Sequence, residues 1–162
     1  MGHYTTRAAN APRLQSILRV DECSIGIRVL IQVSPCSLVS TIEVARKGEL
    51  LEGQSTRGIV REKAFEAEAV LVSRSTLAGA IVSDWHHHGE RHLYGFLISG
   101  NLRLEFGSKG GKAVELDPGD FFHIPPGLIH RDVNPNNQRE LRVASILLGA
   151  GPVVVNVRGP ER

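Results

Sequence analysis

A chain of 162 residues is long enough for one hydrophobic core and short for two, so a single domain with some decoration is expected. Its net charge of +2 comes from acids and bases scattered along the chain, without the basic stripe and interleaved aromatics of a nucleic-acid surface, so nucleic acid is excluded as an expected partner. Seventeen glycines and eight prolines, set at the ends of short Val/Ile/Leu-rich runs, favour an all-β chain with many turns and little helix.

The N-terminal third differs from the rest. Residues 1–50 hold both cysteines, Cys23 and Cys36, which lie far from the histidine clusters and lack a Cys-x-x-Cys spacing; neither a disulfide framework nor a cysteine zinc site is indicated, and a reducing cytoplasm fits best. Arg7, Arg13 and Arg19 precede the first acid, Asp21, as in an organelle transit peptide, but Pro12 weakens an amphipathic helix there and a plain extension is the simpler reading. Three readings of this part stay open: an extra pair of strands, a loose arm, or translated sequence upstream of the functional start.

From Gly58 the rhythm becomes regular. Strands are expected at Ile59 to Phe65, Ala69 to Val72 and Leu77 to Val82, then at Leu93 to Ser99, which turns at Ser99-Gly100-Asn101 into Leu102 to Phe106. Leu102, Leu104 and Phe106 alternate with Arg103 and Glu105, the pattern of a hairpin with one buried face. The turn at residues 107–111 has glycines near a lysine but lacks the Gly-Lys-Ser/Thr ending of a phosphate loop, so a hairpin turn is expected. Ala113 to Leu116, Phe121 to Ile124, Leu141 to Leu148 and Val153 to Val157 complete a set that suits a sandwich or jelly-roll barrel. The longest apolar stretch, Val143 to Val157, is broken by Ser145, Gly149, Gly151 and Pro152 and falls short of the ~20 residues that span a bilayer, so no membrane partner is expected.

Six of the seven histidines fall in two segments, Trp85 to His92 and Gly119 to Asn134. Residues i and i+2 of a strand share a face, so His86 and His88 can aim both imidazoles at one point while His87 faces away. His130 follows Pro125-Pro126-Gly127, where prolines fix the backbone and the glycine permits a tight turn, so its side chain can be held in place. Three such histidines point to a divalent metal site.

The second segment resembles the second motif of the cupin superfamily in full: Gly119, five residues, Pro125, one residue, Gly127, two residues, His130, three residues, Asn134. The first segment is similar to the first cupin motif, with His86 and His88 as its His-x-His and Gly100 as its closing glycine. The resemblance covers about residues 55–157 and implies a double-stranded β-helix (jelly-roll) barrel with a metal inside, often in a homodimer. The expected organisation is an extension over 1–50, the barrel over 51–158 and a short tail over 159–162. One position departs from the pattern: the glutamate expected seven residues before the closing glycine is Leu93, and its neighbour His92 becomes the candidate fourth ligand, the alternative being a solvent-facing loop residue. A carboxylate-free site suits Fe²⁺, Zn²⁺, Ni²⁺ or Cu²⁺ better than hard Mn²⁺.

Among the remaining polar residues, His123 is read either as a hydrogen-bond partner of ligand or substrate or as an outward strand histidine, Glu90 and Asp84 as solvated carboxylates or proton carriers, and Asn134 as a turn-holding residue. Tyr94 and Phe96 are read as packing residues on the face opposite Leu93 and Leu97. The leading functional expectation is an enzyme acting on a small organic acid or carbonyl compound, with an Fe(II) dioxygenase among the forms it can take. Two alternatives stand beside it: a non-enzymatic small-ligand binding or sensing module, and an oxygen-independent isomerase, cyclase or lyase.

Overall fold

Alternation of apolar and polar residues writes most of the strands directly. The computed structural model describes residues 41–160; the expectations attached to Cys23, Cys36 and the N-terminal arginines lie outside the described residues. The strands are β1 (Leu51–Glu52), β2 (Val60–Ala67), β3 (Val70–Leu77), β4 (His86–His87), β5 (His92–Ser99), β6 (Leu102–Phe106), β7 (Lys112–Leu116), β8 (Phe121–Ile124), β9 (His130–Val133), β10 (Leu141–Leu148) and β11 (Val155–Asn156). They build a six-stranded sheet in the order β1-β2-β3-β10-β5-β8 and a five-stranded sheet in the order β11-β4-β9-β6-β7, with antiparallel pairing throughout.

The register of the larger sheet lays its inward residues in rows. Leu71 pairs with Leu147, Leu147 with Leu93, and Leu93 with Ile124, which gives an apolar row across four strands. The next row runs Ser73, Ser145, Gly95 and Phe122. The two serine hydroxyls hydrogen-bond each other at 2.9 Å, which satisfies both groups in the interior. Gly95 is required here by close approach, because a Cβ at this position would lie 2.2 Å from Cζ of the Phe122 ring. The core between the sheets is completed by Leu77, Leu97, Leu102, Leu104, Leu116, Leu141 and Val143. On the outer face of the smaller sheet, Arg103 pairs with Glu105 and Glu115, Arg131 pairs with Glu105, and Arg131 also stacks on Trp85.

Two strand expectations change. Leu77 to Val82 is no strand: Ala80 takes a left-handed conformation (φ 57°), and a Cβ on Gly79 would lie 2.8 Å from the backbone of Asn137. The segment therefore turns, and only Val82 bridges to Val133. Conversely, β3 runs on past Val72 through the polar Ser73-Arg74-Ser75-Thr76, whose serines face a cavity and so carry no apolar signal. The glycine-rich segment 107–111 is a tight turn closing the β6–β7 hairpin, with Gly110 packed against Trp85.

Candidate metal centre

β4 and β9 are adjacent, and His86 sits directly across from His130 in their register. His88 follows β4 at the start of a turn where Gly89 takes a positive φ of 59°. Gly127, also left-handed at φ 70°, donates its amide to the Gly89 carbonyl at 2.8 Å. That bond ties the two histidine segments together and explains the glycine of the Pro-x-Gly turn. The ring centroids of His86, His88 and His130 lie 4.3–5.4 Å apart, and their nitrogen atoms fall within 4.8 Å of one another.

Each imidazole is oriented by a backbone carbonyl. Nδ1 of His86 donates to Asp84 O at 3.0 Å, Nδ1 of His88 to Val153 O at 2.7 Å, and Nδ1 of His130 to Leu128 O at 2.9 Å. A ring whose Nδ1 carries the proton leaves Nε2 as a free lone pair, so three Nε2 atoms share one small space. All three rings are buried. Burial, with like-charge repulsion from His130 next, pushes His86 down to about 2 and His88 down to about 3; burial lowers His130 as well, against the raising effect of Asp132. The set is neutral at physiological pH, as a divalent cation requires of its imidazole ligands. Geometry, tautomer and protonation state all fit a metal ion held by these three residues.

The cluster opens on a cavity of about 190 Å³ between the sheets. Its walls join the histidines to Leu93, Ile124, Leu147 and Val153, with Arg61, Asp132 and the Lys63–Glu66 ion pair supplying charge.

A cupin domain model matches residues 75–147, a stretch that contains all three histidines and the barrel strands around them. Residues 75–147 form a cupin domain. Quercetin 2,3-dioxygenase from Bacillus subtilis (strain 168) is 24% identical over 129 residues, which covers 76% of this chain; the chain spans 37% of that protein's length. Among solved structures, the polyketide cyclase RemF from Streptomyces resistomycificus matches with a TM-score of 0.59 at 18% identity, over 72% of this chain and 86% of the cyclase. A double-stranded β-helix protein from Klebsiella pneumoniae subsp. pneumoniae matches with a TM-score of 0.55 at 18% identity, over 65% of this chain and 90% of its own. These structural likenesses establish the fold.

Where the cupin pattern has its acid, Leu93 points inward and lines the cavity. The structure does not bring His92 to the cluster, which corrects its place as candidate fourth ligand. With Leu93 inward, the two-residue period of β5 turns His92 outward, and the register irregularity that could reverse it lies at the far end, where β10 shifts between Arg142 and Val143. His92 is exposed, with Nδ1 3.0 Å from Nε2 of His123, and both rings stack with Tyr94. His123 is thus an outward strand residue as well. Asn134 holds the turn as expected: its Nδ2 donates to the carbonyls of Leu77, Ala78 and Arg139, and its Oδ1 accepts from the Asn136 amide.

Two cavity residues escaped the sequence reading. Asp132 stands two residues after His130 on β9 and shares its face, with Oδ1 4.0 Å from His130 Nε2; the same i, i+2 rule that paired His86 with His88 could have found it. Arg61 reaches in from β2, and its Nη2 donates to His86 Nε2 at 3.2 Å. No local pattern marks it, since it sits in the charged run Val60-Arg61-Glu62-Lys63.

Proposed function

We propose that this cupin is a metal-dependent enzyme in which Nε2 of His86, His88 and His130 holds a divalent transition metal (iron, zinc, nickel or copper) and a small organic acid or carbonyl compound is transformed in the adjoining cavity. The observation that carries the reading is the common tautomer of the three histidines, each with Nδ1 spent on a carbonyl and an unprotonated Nε2 left to face the others, that of His86 accepting from Arg61. A bound cation supplies Lewis acidity to a carbonyl or carboxylate oxygen and, as Fe²⁺, a centre for O₂ chemistry.

The protein's own contribution is positioning and proton handling. Leu93, Ile124, Leu147 and Val153 exclude water from one side of the cavity and hold the apolar part of the substrate. Asp132 is the carboxylate beside the three histidines, and it is the group placed to take or return a proton at substrate. The likeness to quercetin 2,3-dioxygenase supports an oxygen-dependent reaction, and isomerase, cyclase or lyase chemistry without oxygen is the second reading.

Oxygen uptake by the iron-loaded protein, screened against diketones, catechol-like acids and thiols, separates the two. Uptake that is lost in Asp132→Asn with iron retained supports the dioxygenase form and the role of Asp132. Turnover of a carbonyl substrate without uptake moves the reading to isomerase, cyclase or lyase chemistry, and binding without turnover of any compound contradicts the enzyme reading.

A further inference from the structure

Arg61 is 9% exposed, lines the cavity, and carries a buried Nη1 with no hydrogen-bond partner. Its Nη2 rests on His86 Nε2, the lone pair assigned above to the metal. Among the described residues no carboxylate lies within ion-pair distance of it; Asp132 is the counter-charge that acts on it, from beyond that distance. A buried guanidinium in this state is under-satisfied, because among the described residues Nη1 has no acceptor and Nη2 has only the His86 ring. Binding of a cation at His86 Nε2 removes the one acceptor Nη2 has, and adds positive charge. Lys63 and Glu66, which also line the cavity, pair with each other at 2.7 Å and cancel, so against a dipositive metal and a guanidinium Asp132 offers a single negative charge and the cavity is left cationic, with apolar side chains and serines on its walls.

We infer that Arg61 is the anion hook of this cavity, binding a carboxylate of the substrate through Nη1 and Nη2 while the apolar remainder lies against Leu93, Ile124 and Val153. The inference rests on the metal reading and narrows the substrate to a small apolar carboxylate. The planar fork matches a carboxylate in two parallel hydrogen bonds, which a lone ammonium cannot reproduce. A purely structural Arg61, present to hold the His86 ring, would instead make metal binding and anion binding fall together when it is replaced.

The test uses the full chain loaded with zinc and titrated calorimetrically with benzoate and with its neutral isostere benzamide, for the parent, Arg61→Gln and Arg61→Lys; zinc affinity is measured separately by competition with a chromophoric chelator. Benzoate affinity is expected to fall roughly tenfold or more in Arg61→Gln, to recover in part in Arg61→Lys, and benzamide binding to stay unchanged. Zinc affinity is expected to rise in Arg61→Gln, since a like charge has left the site. Benzoate bound equally by the parent and by zinc-loaded Arg61→Gln, no benzoate binding by the zinc-loaded parent, or a joint loss of zinc and benzoate affinity overturns the inference. If Arg61→Gln does not fold, Arg61→Lys decides by the same comparison, a severalfold loss of benzoate with zinc retained being the supporting result. A parent that holds no zinc defeats the metal reading alone; benzoate binding to that metal-free protein, lost on replacing Arg61, still supports the hook, and its absence overturns it.

Discussion

His86, His88 and His130 lie inside the domain with Nδ1 committed to backbone carbonyls, whereas His92 and His123 lie on the outer face of the larger sheet and bond to each other. The side chain is the same in both groups, and the chemistry differs because the backbone differs. Inside, a strand pair and two glycine turns aim three lone pairs at one point, and burial keeps the rings neutral. Outside, the stack of His92, Tyr94 and His123 meets solvent and offers two exposed imidazoles that, among the described residues, bond each other and no carbonyl. Proximity of histidines in sequence therefore says little until the strand period assigns each one a face.

The largest effect expected from this contrast is on acid stability. The inner rings have folded pKa values of about 2 and about 3, below their ordinary 6.5, so their stabilisation is complete above pH 6.5 and is lost as pH falls from there toward those folded values. Between pH 6.5 and 5, metal-free protein should lose about 3 kcal/mol from His86 and His88 together, the slope for each rising from about 0.7 to about 1.4 kcal/mol per unit. Urea unfolding at the two pH values checks this; a stability that is flat over the range contradicts a neutral, buried cluster.

Next in size is the support behind the cluster. Asn134→Ala removes the donor shared by three carbonyls around the turn after β9 and should cost roughly 2 kcal/mol, read as a lower thermal midpoint. Gly95→Ala drives a methyl into the Phe122 ring and should cost about 1–3 kcal/mol. Leu93→Glu sharpens the comparison from the other side, because it returns a carboxylate to an inward position next to the histidines: Mn²⁺ affinity should rise roughly tenfold or more relative to the parent. Calorimetric titration with Mn²⁺ showing no gain would mean that position 93 does not face the metal. The smallest effect is expected outside, where His92→Ala should change stability by less than about 0.5 kcal/mol.

Much of this is legible in the sequence. The alternation in β5 and β6 gave their buried faces, and the spacing from Gly119 to Asn134 gave the turn that carries His130. The sequence leaves His92 undecided between a ligand and a solvent-facing residue, because only strand pairing turns its neighbours Leu93, Gly95 and Leu97 inward and His92 with that outward. Arg61 was out of reach for a different reason. Its strand lies at a long distance in sequence from the histidines, and only the pairing of β2 to β3 shows that Arg61, next to Ser75, turns into the cavity.

The central claim is that the inner three histidines, and not the outer pair, hold a metal. Metal content of chelator-free protein, measured by elemental mass spectrometry for the parent, His130→Ala and His92→Ala, tests it most directly. About one metal per chain is expected in the parent and in His92→Ala, and a loss of most of it in His130→Ala, since a site rarely keeps its ion with two neutral ligands. A parent without stoichiometric metal, or a His92→Ala variant that loses it while His130→Ala does not, would contradict the account.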